Sequence, residues 1–510
     1  MGTYLIIKLE RVLSHRSLHP HGVDSLKDIA EYALDTCRNL GATYADIRIV
    51  TIKDEDISIK LGNIAVLEMR KAIGFGIRCL ADGGFGFAGS YDPSKEEVSR
   101  IAELAVRIAK ASGATRKKPV ELVDEKVVTD SYVTPVKKDP FKIPIEEKVS
   151  LLMEVDKRLG EHNPEVIKFT NADYRGHSED KIFSSTEGAY ITQKIVFCGG
   201  GFSCMAMSPG SPPQRRSYPG SFRGDFSTSG YEFFESKKLL EHVEEIADEA
   251  VALTSAKQCP TEKATVLLDG HQLMLQIHES CGHPTELDRV LGTEAAYAGT
   301  SFMTVDKLNS LRYGSEHVTL VADSTNPGGL GTFGYDDEGV KAKRVELVKN
   351  GLFVGYQSSR ETAALIGLTE SSGGMRADNP QKLPLIRMVN INLEPTDWKR
   401  NDIIEDTKNG ILMSTNKSWS IDDKRENFQF GTEIAWEIVD GEIGQILKNP
   451  TYTGITPEFW GSMDASSKDD WRVWGTPNCG KGQPPQVMYV GHGCGTARFH
   501  NVRVGIMGGK

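Results

Sequence analysis

Residues 264–284 read ATVLLDGHQLMLQIHESCGHP, and the chain changes character here. ATVLLDG (264–270) is a short apolar run of the buried-strand kind, and HQLMLQIHESCGH (271–283) carries helical spacing. Inside it His278-Glu279-Ser280-Cys281-Gly282-His283 sets two histidines five apart, where H-E-x-x-H sets them four apart. A helix turns about 100° per residue, so five steps leave the two rings roughly 140° out of phase. On one unbroken helix they do not share an ion. The sequence offers a remedy. Gly282 can adopt a left-handed C-cap, and Pro284 disfavours helical backbone at His283. The expectation is a helix that carries His278 and Glu279, ends near Cys281 and turns at Gly282, so that His283 folds back.

Two imidazoles and a neighbouring acid suit a catalytic zinc, which takes three protein ligands and leaves one position for water. Glu279 then acts as base rather than ligand. The third ligand is open between Cys479, Cys494, His492, His271, Glu286 and Asp288. The plainer reading is a helix-end histidine that caps its own carbonyls, with Cys281 as a small buried apolar residue.

Working outward, 510 residues exceed one core, and about two to four domains are expected. A first region opens with a helical stripe from Asp24, capped by Asp24 or Ser25. Strand-like stretches follow at 45–50, 56–61, 65–72, 74–81 and 84–91, with a hairpin at Asp82-Gly83-Gly84 and a helix from about Lys95 to Ser112. GFGIRCL (74–80) lacks the third glycine and the helix of a dinucleotide site, so it reads as strand. Residues 113–145 read as a surface connector. A helix near 146–160, strands near 165–172, 180–185, 188–198 and 200–207, a loop over 208–221 and a helix over 233–254 follow. Beyond 300 the text is β-rich, with Asn350-Gly351 and Asp440-Gly441 as hairpin turns. The fold class is therefore α+β. The expected divisions are an extension (1–23), an N-terminal α/β domain with linker (24–145), a second α/β segment (146–262) and a C-terminal β-rich domain (263–510).

Net charge is −10 with a pI near 5.7, which disfavours a phosphate-neutralising surface, and Arg215-Arg216 is too short a basic run to reverse that. Eight dispersed cysteines read as thiols in a reducing compartment rather than as a disulfide scaffold. The first 22 residues read as a loose extension without the apolar core of a secretory signal, and Ile6 spoils the myristoylation pattern at Gly2. No apolar run approaches the roughly 20 residues of a membrane span. A cytoplasmic protein is expected. Asp336-Asp337-Glu338 reads as an exposed acidic turn rather than a cation site, or as part of a substrate cleft. Cys494 with His492 is a weaker second metal pair.

Taken together, HESCGHP (278–284), FGYDDEG (333–339), VKNGLFVGY (348–356), LPLIRMVN (383–390) and CGKGQP (479–484) resemble, in order and spacing, the TldD branch of the TldD/PmbA family. The likeness extends from about residue 24 to the end. It implies zinc (Zn2+) on His278, His283 and Cys479, with Glu279 catalytic. It further implies a metallopeptidase for extended or unfolded polypeptides and a dimer with a TldE/PmbA-like subunit or with itself. A thiolate ligand leaves the zinc a weaker Lewis acid, so oxyanion donors are expected elsewhere. SWSIDDKRENFQFG (418–431) departs from the family pattern, as do GHGCGTARF and the loop at 208–224. The alternative is a non-catalytic modulator, for example of DNA gyrase, with a structural zinc. A small-molecule amidase is a further rival.

Overall fold

The computed structural model describes residues 25–505, so the expected extension, residues 1–23, lies outside the described residues. The first helical stripe forms α1 (Leu26–Asn39), and Ser25 caps it. The Ser25 hydroxyl accepts from the Asp28 N–H at 3.2 Å, while the Asp28 carboxylate accepts from the Ser25 N–H at 2.8 Å. The stretches at 45–50 and 56–61 are one strand, β1 (Tyr44–Lys60), and those at 65–72 and 74–81 are one strand, β2 (Asn63–Ala81). The acidic run Asp54-Glu55-Asp56 interrupts the apolar pattern but not the strand, because each carboxylate meets a cation. Arg70 lies at 2.6 Å from Asp54, Lys148 at 2.5 Å from Glu55 and Arg223 at 2.6 Å from Asp56.

Asp82 and Gly83, at φ +51° and +76°, turn β2 into β3 (Gly84–Ser90) as the right-handed strand twist requires. Asn350-Gly351 and Asp440-Gly441 have the same left-handed pair, as their sequences predict. A Cβ on Gly86 would collide with the backbone of Ala105 in α2 (Lys95–Gly113), so β3 and α2 meet main chain to main chain.

The connector over 113–145 is not all loop. Its residues Thr129–Val133 form β4, which pairs in parallel with residues 190–194. After α3 (Ile145–His162), the four expected short strands are two long ones, β5 (Ile167–Ser185) and β6 (Tyr190–Ala206). The presumed loop at 208–221 contains β7 (Gln214–Tyr218), which pairs with β6. Buried Arg216 fixes it there, at 2.8 Å from Glu249 and 3.1 Å from Glu433. β8 (Asp225–Ser227) follows on the same strand. The helix expected over 233–254 is broken into Tyr231–Ser236 and α4 (Val243–Ser255), with Lys238 at φ +46° between them.

These strands make one eight-stranded sheet, ordered β3-β2-β1-β5-β6-β4, with β7 and β8 against β6. The α1 and α2 stripes (Ile29, Ala33, Val98, Ile101, Ala105) pack on one end with Ile47 and Ile77. α3 and α4 pack on another with Ile57, Tyr174 and Phe202.

The chain then enters a β-rich region. β9 (Glu262–Leu268) runs parallel to β10 (Asn409–Ile421). β10 pairs with β11 (Asn427–Val439), and β11 with β12 (Thr451–Ile455). After the hairpin of β13 (Arg472–Lys481) and β14 (Gln486–Cys494) comes β15 (Ala497–Val504). β15 pairs with both β12 and β9, so these five strands close a ring.

Asp336-Asp337-Glu338 is neither exposed nor a cleft lining. All three are buried, and two of them tie the ring's side of the molecule to the first sheet. Asp337 lies 2.7 Å from Arg48 and 2.6 Å from Lys181, and Glu338 lies 2.7 Å from Arg78. Asp336 accepts main-chain N–H bonds from Glu338, Val340 and Met375. The acids are buried because their cations sit on β1, β2 and β5, far away in sequence. Among the described residues no helix is long and apolar enough to cross a membrane.

Candidate metal centre

β9 runs into α5 (Gly270–Ile277), and Asp269 marks the join by accepting from the Gln272 N–H at 3.0 Å. The helix does not end near Cys281. From His278 to Gly282 it widens into a π turn, and His283–Thr285 follow as 3-10 helix. The expected left-handed glycine is absent, since Gly282 has φ −56° and ψ −63°. His283, ahead of Pro284, is helical too, at φ −63° and ψ −44°. Its N–H bonds the carbonyl of His278, five residues back. That bond is the remedy for the spacing: an i→i+5 turn puts residues five apart on one face.

The wide turn leaves carbonyls without their usual donors, and side chains replace them. Pro284 has no N–H for Ser280, and the Tyr313 hydroxyl donates there instead at 3.0 Å. Thr285 Oγ1 donates to Cys281 O at 2.8 Å, and Gln357 Nε2 to Gly282 O at 2.8 Å. Gly282 is needed for space rather than for φ, because a Cβ there would collide with Met388 Sδ.

The His278 and His283 rings lie 4.8 Å apart at 90°, and Cys479, on β13, completes the group. Their ligand atoms all lie within 4.8 Å of one another, and all three residues are buried. His283 Nε2 is 3.8 Å from Cys479 Sγ. Zinc–nitrogen and zinc–sulfur bonds of 2.0–2.3 Å in tetrahedral geometry set ligands roughly 3.5 Å apart, so the donor set fits such an ion. Burial holds both imidazoles below their usual range, in the neutral form a metal takes. Burial also pushes the Cys479 thiol up. The Arg387 guanidinium and then His283 outweigh it, and the thiol ends below its ordinary 9.0.

The remaining candidates are placed around this set. His492 Nε2 meets His278 Nδ1 at 2.8 Å, and Glu286 Oε2 meets His283 Nδ1 at 2.9 Å. Each fixes a ring by its other nitrogen, which aims Nε2 inward. Asp288 is held by Lys481 Nζ at 2.8 Å. Cys494 donates to Gly270 O at 3.2 Å, so it forms no pair with His492. His271 faces the N–H groups of Ser221 and Asn416, away from the set. Cys281 is a buried thiol pushed up by its apolar surroundings. Glu279, also buried, stands outside the ligand group and is paired with Arg425 Nη1. Sequence reasoning missed Arg425, although it lies within the stretch 418–431 that departs from the family pattern. A cleft of about 470 Å³, lined by Glu294, Tyr297, Leu385 and Gly482 among others, opens beside the turn that follows Cys479.

The chain matches in order PmbA/TldA metallopeptidase domain 1 over residues 45–109, the central domain over 138–258 and the C-terminal domain over 261–506. It belongs to the PmbA/TldD metallopeptidase family. A metalloprotease of Methanocaldococcus jannaschii is 33% identical over 456 residues, which is 89% of this chain and 95% of the relative. A metalloprotease TldD homolog of Buchnera aphidicola is 25% identical over 97% of this chain and 98% of its own. The crystal structure of TldE from Thermococcus kodakarensis shares the fold at a TM-score of 0.71 and 18% identity, over 94% of this chain and all of that one. The α+β class read from the sequence is that of this PmbA/TldD fold.

Proposed function

We propose that this PmbA/TldD metallopeptidase is of the TldD branch and uses zinc to hydrolyse peptide bonds in extended or unfolded polypeptides. The observation that carries this reading is a buried nitrogen–nitrogen–sulfur ligand set beside a carboxylate that is not one of its members. His278, His283 and Cys479 would hold the ion, and the ion would supply a Lewis acid that polarises a carbonyl and acidifies a water. Glu279 takes the proton of the attacking water and hands it to the departing amine. His492 and Glu286 keep the two imidazoles in register. The protein works in the cytoplasm as a pair, with a TldE-like chain or a second copy.

The rival, a modulator with a structural zinc, needs a closed four-ligand site. Among the described residues the ligand group stops at three, and Cys494 is engaged elsewhere. The deciding experiment measures zinc per chain and cleavage of an unfolded polypeptide. The proteins compared are wild type, Cys479→Ala, Cys494→Ala and Glu279→Gln. About one zinc in wild type and Cys494→Ala, loss in Cys479→Ala, and a zinc-loaded but inactive Glu279→Gln are expected. Zinc retained by Cys479→Ala, or full cleavage by Glu279→Gln, overturns the reading.

A further inference from the structure

Arg425 belongs neither to the ligand set nor to the side chains that orient it, yet the fold builds a rigid seat for it. It lies in the turn between β10 and β11, at φ +66°. Its N–H donates to Asp422 O at 2.9 Å, and its carbonyl accepts from Thr456 Oγ1 at 3.1 Å. The Asp422 carboxylate accepts from the Glu426 N–H at 2.8 Å and from Asn427 Nδ2 at 2.6 Å. The turn is further bound to the segment before Met303, with Thr300 N–H on Asp423 O and Phe302 N–H on Lys424 O, both at 2.9 Å.

From this seat the side chain points inward and is only 15% exposed. Nη1 holds Glu279, and Nε is buried with no acceptor among the described residues. A buried guanidinium donor without an acceptor is costly. Arg289, Arg376 and Arg387 share such an Nε, and among these four Arg425 is the one paired with Glu279.

Position selects which charge. Glu279, as base, must lie beside the attacking water, and that water lies beside the carbonyl carbon. A guanidinium resting on Glu279 is therefore one donor's reach from the carbonyl oxygen. The thiolate of Cys479 also leaves the metal a poorer acceptor of that oxygen's charge, so a second stabiliser has chemistry to do.

We propose that Arg425 is a catalytic residue that donates to the oxygen of the scissile carbonyl as it becomes an oxyanion. This rests on the metallopeptidase reading above. As the water oxygen bonds to carbon, the carbonyl π pair moves onto oxygen beside Arg425, and the water's proton goes to Glu279. When the pair returns, the C–N bond breaks and the amine leaves with the proton from Glu279. Fixed donors aimed at such an oxygen act mainly on the transition state.

The test uses the full zinc-loaded chain as Arg425→Ala and Arg425→Lys, together with its partner subunit if it has one. Zinc per chain and melting temperature are recorded first, then kcat, KM and the affinity of a phosphonamidate peptide, whose tetrahedral anion mimics the oxyanion. For Arg425→Ala, kcat is expected to fall about 10²–10³-fold with KM nearly unchanged. Phosphonamidate affinity falls with it, and Arg425→Lys recovers part of both. A rise in KM at constant kcat makes Arg425 an anchor for a substrate carboxylate and overturns the proposal. A rise in kcat makes it a restraint on Glu279 and does the same. Unchanged phosphonamidate affinity also overturns it. Wild type that neither cleaves peptide nor binds the phosphonamidate instead removes the metallopeptidase reading itself, and Arg425's role with it.

Discussion

The N–H of His283 bonds the carbonyl of His278, so the main chain itself holds the two imidazoles one turn apart. Gly282 lies inside this turn, where Met388 leaves no room for a Cβ. Gly282→Ala is expected to cost about 1–3 kcal/mol of stability, as overpacking does, and to lower zinc content. Adding Met388→Ala makes room, so the double variant regains metal relative to Gly282→Ala. Chemical denaturation and zinc titration of the three variants check this.

The two rings are oriented by partners of different chemistry, an imidazole on His278 and a carboxylate on His283. His492→Ala and Glu286→Gln are each expected to weaken zinc binding about 10–100-fold without abolishing it. Competition with a chromophoric chelator measures the loss. Affinity equal to wild type in both variants contradicts the orienting role.

His271 gives a pH dependence whose sign can be worked out. Burial pushes it down to about 3. Main-chain N–H groups of Ser221 and Asn416 face its two ring nitrogens at 3.3 and 3.4 Å, and a neutral ring can accept from one of them while a protonated ring accepts from neither. The unfolded chain binds this proton below about pH 6.5 and the folded chain does not. The stability it contributes is thus present above 6.5 and lost as pH falls toward 3, by about 1.4 kcal/mol per unit. His271→Gln should flatten the stability profile between those limits, measured by denaturant unfolding at each pH.

Asp337 works in a lower window. Burial would raise it, but Lys181 and then Arg48 hold it at about 2, below its ordinary 3.8. Its contribution is complete above about pH 4 and is lost as pH falls through 2. Asp337→Ala leaves buried Arg48 without a carboxylate and Lys181 with Glu179 alone, and a loss of about 3–5 kcal/mol is expected near neutral pH. Equilibrium unfolding checks it, and a loss below 1 kcal/mol would show that water or other acids satisfy both cations.

Local signals were legible in the sequence. The three Asp-Gly and Asn-Gly hairpins and the α1 stripe depend on neighbouring residues and stand as read, Ser25 is the cap of the two candidates, and the α2 stripe holds except that Ile108, read as part of it, is exposed. The approach of His278 to His283 was legible as a need, but its means was not. A π turn is selected by Tyr313, Thr285, Gln357 and Met388, which lie up to 106 residues beyond Gly282 and carry no local mark. For the same reason Asp336-Asp337-Glu338 read as a solvated turn, since its cations are on strands of the other sheet. β1 read as two strands because the cations that keep Asp54-Glu55-Asp56 in place come from β2, α3 and a loop. Cys479 entered through family resemblance, because spacing alone left Cys494 equally open.

The ties between Asp337, Glu338 and the first sheet also bear on how the protein is made. Arg48 leaves the ribosome 289 residues before Asp337, and Arg78, which has Asp46 within the first sheet, leaves it 260 residues before its second acid, Glu338. At about 5–20 residues per second that delay is roughly 13–58 s. Throughout it the nascent first sheet carries guanidinium groups destined for burial and still lacking these acids. That sheet is not finished as it emerges; it waits for a distant part of the same chain. Cys479 comes later still, so the metal pocket is completed only after these acids have emerged.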